Sequence, residues 1–112
     1  MQSPPGMWHV TLMVGGETHP IDEVLAALQR LADERPFFLS GRYDGEHAEL
    51  QYWEEAVECA DACALALRLW TEHRQSAGLP AWTVLGLAVL TRDEHLRREP
   101  PGVVGAGGWQ RF

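Results

Sequence analysis

The stretch FFLSGRYDGEHAELQYW, residues Phe37–Trp53, holds two alternating segments on either side of Asp44-Gly45. An Asp-Gly pair in that setting predicts a β-hairpin with a two-residue turn, whose central residues both take positive φ. Such a turn pairs Tyr43 with Glu46, Arg42 with His47, Gly41 with Ala48, Ser40 with Glu49, Leu39 with Leu50, and Phe37 with Tyr52. Apolar residues then meet apolar ones almost throughout. A slip of one residue would put Leu39 and Leu50 on opposite faces. One face of the hairpin belongs to a core. The other carries Phe38, Ser40, Arg42, His47, Glu49, Gln51 and Trp53.

Before the hairpin, WHVTLMV (Trp8–Val14) sets Trp8, Val10, Leu12 and Val14 against His9, Thr11 and Met13, the pattern of a half-buried strand. Gly15-Gly16 breaks it. Pro20 suits the first turn of a helix, and Asp22 and Glu23 meet the positive end of its dipole. Ile21, Val24, Leu25, Leu28, Leu31 and Ala32 recur at helical steps, and Pro36 ends the run. A second helix is predicted from about Glu58 to Ala77, burying Ala62, Leu65, Ala66, Leu69, Trp70 and His73, with Gly78 as its left-handed cap. The last strand is read as AWTVLGLAVLT, Ala81–Thr91. Both of its alternating sets are apolar: Trp82, Val84, Ala88 and Leu90 on one side, Leu85, Leu87 and Val89 on the other.

The order βαββαβ resembles the ferredoxin-like fold over about Trp8 to Thr91. The resemblance implies an α+β domain with a four-stranded antiparallel sheet, first and third strands central, and two helices on one face. The domain is expected to span residues 1–98, followed by a Pro/Gly-rich tail at residues 99–112. Val103, Val104, Trp109 and Phe112 make that tail unusually apolar.

The chain has 112 residues, 46% of them apolar and 22% charged, with net charge -7. That balance predicts one globular domain and disfavours binding to nucleic acid or anionic lipid. No apolar run is long enough for a membrane span, and MQSPPGMW lacks the basic start of a signal peptide, so the cytoplasm is the expected compartment. All nine basic side chains are arginines, asparagine is absent, and isoleucine occurs once, at Ile21. A GC-rich bacterial genome accounts for this usage. The same absences exclude a lysine Schiff base and an asparagine oxyanion donor.

Opposite the helices, the sheet should display His9, Thr11, Ser40, Arg42, His47, Glu49, Gln51 and Trp53 as ligand-binding candidates. Arg42, Ser40 and Glu49 could orient an anionic or amide-bearing ligand; a cross-strand charge cluster accounts for them as well. Imidazole and carboxylate also serve metals and acid–base chemistry. Register, however, puts His9 toward Trp53 and away from His47, so no metal and no cofactor is expected. No residue is assigned a catalytic role. Cys59 and Cys63, one helical turn apart, read as small apolar residues on a buried helix face. His19 reads as a helix cap, His73 as a core residue and His95 as solvated. Gly15-Gly16 ahead of a helix matches only part of a phosphate loop.

Residue types exclude several activities hosted by this architecture. RNA-recognition motifs require basic and stacking aromatic residues on the third strand, which here reads EHAELQYW. Acylphosphatases require an asparagine. Heavy-metal domains of this fold carry a cysteine pair in the first loop, and GGETHP has none. The leading expectation is a noncatalytic domain that binds a small molecule, similar to ACT domains in layout, with its site created by oligomerisation. The alternative is an enzyme resembling the dimeric α+β barrel monooxygenases that need no cofactor. Either way a homodimer through the open sheet face is expected, because one apolar set of the last strand would otherwise face water.

Overall fold

The computed structural model describes residues 6–35, 38–98 and 108–112. Along the chain run β1 (Gly6–Gly15), α1 (Ile21–Glu34), β2 (Phe38–Tyr43), β3 (His47–Ala56), α2 (Cys59–Ala77), β4 (Thr83–Thr91), α3 (Arg92–Arg98) and β5 (Gly108–Arg111). Phe37, Val103 and Val104 lie outside the described residues.

Val10, Leu12 and Val14 of β1 and Leu50 and Tyr52 of β3 point into the core. There they meet Val24, Ala27, Leu28 and Leu31 of α1 and Ala62, Ala66, Leu69 and Trp70 of α2. Each aliphatic side chain fully buried here contributes about 1.5–3 kcal/mol. Trp70 and Trp82 stack at 6.0 Å, and their indole N–H groups donate to the carbonyls of Pro80 and Glu17. Leu65 lies outside this core, 37% exposed. Gly78 caps α2 with φ 67°, a conformation that glycine adopts without a Cβ penalty.

The sheet has five strands in the order β4-β1-β3-β2-β5. Its pairings are antiparallel except β2 with β5, which is parallel. This corrects the expected four-stranded antiparallel sheet with two helices: the sheet is mixed, a fifth strand closes its β2 edge, and a third helix is present. The fifth strand is placed by Gly41, whose missing side chain leaves a slot for the Trp109 indole; Trp109 then packs against the core. Trp109 and Phe112 are thus tied to the chain's own sheet. The third helix starts where Thr91 Oγ1 accepts from the Glu94 N–H at 3.1 Å. Acidic Asp93 and Glu94 in its first turn and His95, Arg97 and Arg98 in its last suit the dipole. It packs on the sheet face opposite α1 and α2, with His95 over His9.

The hairpin register is corrected by two residues. Tyr43 pairs with Ala48, Arg42 with Glu49, Gly41 with Leu50 and Ser40 with Gln51, while an irregularity follows Phe38. The cause is the Asp44 carboxylate, whose Oδ1 accepts from the N–H groups of both Glu46 and His47 at 2.7 Å. This Asx-type turn displaces the two-residue turn, and neither Asp44 nor Gly45 takes positive φ. Over Ser40–Tyr43 this two-residue shift keeps each side chain on its face but exchanges its partner; beyond the irregularity Phe38 lies opposite Tyr52.

In β4 a bulge opposite Met13-Val14 breaks the alternation. Val84, Leu87 and Val89 all pack toward the core, and Leu85 is left 57% exposed. Trp82 precedes the strand. Among the described residues, no helix is long and apolar enough to cross a membrane.

Candidate functional site

Strand pairing arranges the open face as cross-strand rows. One row holds Leu90, His9 and Trp53; the next holds Ala88, Thr11, Gln51, Ser40 and Gly108. A third holds Gly86, Met13, Glu49, Arg42 and Gln110. The eight candidates therefore share one face but form two groups, joined by the Thr11–Gln51–Ser40 row.

The first group is aromatic. His9 is only 3% exposed because the His95 ring lies parallel to it at 3.6 Å. Trp53 presents its edge to both imidazoles, at 5.1 and 5.3 Å. Burial, and secondarily the nearby His95, lower the His9 pKa to about 4. Beside the stack a groove of about 340 Å³ is lined by Met7, Trp53, Arg92 and Leu96. His95 was expected to be solvated and instead completes this cluster. The Thr91-Arg92-Asp93-Glu94 spacing matches a capping box ahead of His95, and that signal could have revealed the helix.

The second group is charged. Arg42 Nη2 donates to Glu49 Oε2 at 3.2 Å and Oε1 at 3.4 Å, and Gln51 Nε2 donates to Glu49 Oε1 at 3.1 Å. The two-residue register shift is what brings Arg42 opposite Glu49. Phe112 closes this end: the Arg42 guanidinium lies 5.4 Å from its ring centroid, and the His47 ring stands perpendicular to it at 6.5 Å. Phe112 N–H donates to the Tyr43 carbonyl at 3.0 Å, which extends β5 by one bond. His47 Nδ1 lies 3.3 Å from Asp44 Oδ1. Desolvation disfavours the Asp44 carboxylate, but the Glu46 and His47 N–H groups and the His47 ring outweigh it and lower its pKa. His9 and His47 are held far apart along the β1–β3 pairing, His9 opposite Trp53 and His47 opposite Gly15.

Other residues singled out in the sequence have structural duties. Gly16 N–H donates to the Glu46 carbonyl and His19 N–H to Gly45, clasping the β1–α1 loop to the hairpin. A side chain at Gly15 would meet Leu85 and the Glu46 carbonyl, and one at Gly16 would meet Trp82. The glycine pair thus permits close packing. His19 does not cap α1, which has no side-chain cap; its ring faces the edge of Trp82 at 6.0 Å. Half-buried His73 binds Glu34 at 2.9 Å, and Ser76 donates to the same carboxylate oxygen, tying α2 to α1. Glu54 of β3 pairs with Arg35 at 3.2 Å. The cysteines are not on a buried face: Cys59 is exposed and Cys63 half-buried.

Residues 7–104 match the family described as Domain of unknown function (DUF8830), and the chain belongs to this family. The match runs from β1 through α3 and ends before β5. No curated protein matches the chain.

Proposed function

We propose that this member of the DUF8830 family is a noncatalytic domain that binds a small anionic or amide-bearing molecule on the open face of its sheet. The observation that carries this reading is the state of Arg42. Its side chain is 53% exposed, yet it is held by Glu49 on one side and by the Phe112 ring on the other. A cation oriented before binding loses little side-chain entropy when it meets an anion. Gln51 and Glu49 supply an amide and a carboxylate beside it, and Thr11 and Ser40 supply hydroxyls in the neighbouring row.

Catalysis is disfavoured by spacing. His47 with Asp44 resembles a base and its orienting acid, but the hydroxyl that β2 offers on this face, at Ser40, pairs four residues along β3 from His47. At the rise of a strand that is roughly 13 Å. The thiols lie on α2, on the other side of the sheet.

The reading includes a homodimer joined through this face. Met13, Leu85 and Phe112 are 38%, 57% and 52% exposed, and a second copy would cover them.

Thermal unfolding of wild type and Arg42→Ala with a panel of carboxylates, phosphates and primary amides tests the proposal. At least one class should raise the wild-type midpoint and leave the folded variant unmoved. A panel without effect, or a shift that survives Arg42→Ala, would overturn the site. Consumption of the bound compound, followed by NMR, would overturn the noncatalytic role. Sedimentation at micromolar concentration showing only a 12.5 kDa species would overturn the dimer.

A further inference from the structure

Cys59 and Cys63 occupy the start of α2, both as free thiols, with their Sγ atoms 4.0 Å apart. Neither belongs to the open-face site. Residues four apart on a helix hold their Cβ atoms about 5–6 Å apart. A disulfide needs about 3.5–4.5 Å between them. Direct S–S bonding would therefore unwind the first turn of α2. A bridging ion removes that conflict. At the zinc–thiolate bond length of about 2.3 Å, two thiolates on one ion stand about 3.8 Å apart at a tetrahedral angle and about 4.6 Å apart when linear. The observed 4.0 Å lies between these limits.

Coordination number selects the ion. Among the described residues, no three His, Cys, Asp or Glu side chains group to hold a metal, so an ion wanting four protein ligands is poorly served. Soft cations that accept two thiolates need no third ligand. The N-cap Glu58 makes no side-chain cap hydrogen bond, and the positive end of the helix dipole favours the negative charge that two thiolates leave behind.

We propose that Cys59 and Cys63 form a two-thiolate site for a soft monovalent cation, copper(I) or silver(I), on the outer side of α2. Binding breaks two S–H bonds, forms two metal–sulfur bonds and releases two protons, with no change of oxidation state. Both ligands bind as thiolates, so the ion competes with protons. Affinity should fall by about 100-fold per pH unit on acidification, as expected for two displaced protons.

Reduced full-length protein is titrated anaerobically with copper(I) held by a bidentate colorimetric chelator. One equivalent per chain should be withdrawn, and Cys59→Ser and Cys63→Ser, with unchanged far-UV circular dichroism, should each bind about 100-fold more weakly. No withdrawal of copper, one ion per two chains, or serine variants with wild-type affinity would each overturn the site. A second readout needs no variant: silver(I) should protect both cysteines of wild type from alkylation together, read by mass spectrometry. Alkylation of both at the metal-free rate would equally overturn it.

Discussion

His95 lies flat on His9, their ring centroids 3.6 Å apart and their planes 11° from parallel. This contact fastens α3, a helix with no buried residue of its own, to the centre of the sheet. Two stacked imidazoles cannot both carry charge without strong repulsion.

Stability should therefore fall on mild acidification. Burial, with His95 adding to it, lowers the His9 pKa from 6.5 to about 4. The unfolded chain takes up this proton near pH 6.5, whereas the folded chain resists until about pH 4. The contribution is fully present above pH 6.5 and is lost progressively as pH falls toward 4. Urea midpoints measured across this window should decline, and His9→Phe should flatten the decline. Equal slopes for variant and wild type would show that His9 is not the cause.

Gly41→Ala should cost about 1–3 kcal/mol through overpacking. A Cβ there would strike the Trp109 ring and approach the Glu49 carbonyl at 2.7 Å, and the latter is backbone that cannot swing aside. Loss of β5 should accompany the loss of stability, seen as faster amide exchange in residues 108–112. Unchanged exchange and an unchanged urea midpoint would mean that Trp109 does not depend on the slot.

Arg42→Ala should change stability by under about 0.5 kcal/mol, as is usual for an exposed charge. Its partner Glu49 is less exposed, at 13% of its side chain against 53%, but keeps the Gln51 amide. Chemical denaturation gives the comparison. A loss of several kcal/mol would recast Arg42 as architecture.

Gly78→Ala should destabilise by about 1 kcal/mol, because φ 67° strains a residue with a Cβ. The added carbon would also sit 3.1 Å from Arg30 Nη2, whose Nε donates to the Ala77 carbonyl at the end of α2. Gly86→Ala is the control. Its Cβ would meet nothing nearer than Met13 at 3.9 Å, and the variant should unfold close to wild type.

Much of this molecule was legible from residue order. Helical recurrence from Ile21 to Leu31, ended by Pro36, marks α1, and Gly78-Leu79-Pro80 marks the end of α2. Alternation in β1 and β3 assigns the open face, so His9, Thr11, Glu49, Gln51 and Trp53 sit where period two puts them. These features depend on near neighbours and on a face pattern, and both are local properties.

Partners across the sheet were decided by tertiary structure. Asp44 satisfies two backbone N–H groups with its carboxylate and moves Ser40–Tyr43 by two residues against β3, a change that hydrophobic alternation cannot detect because the faces of those residues are unaltered. That shift creates the Arg42–Glu49 pair. Gly108–Arg111 is too short to carry a periodic signal, and its place depends on a slot at Gly41, far away in sequence. His95 reads as a surface residue until α3 folds onto β1. The sequence by itself determined the identity of the elements and their buried faces, because local sterics and the hydrophobic effect act on every residue where it stands. Register, the fifth strand and the two halves of the candidate site were decided only when distant segments met, because those contacts exist in the folded chain alone.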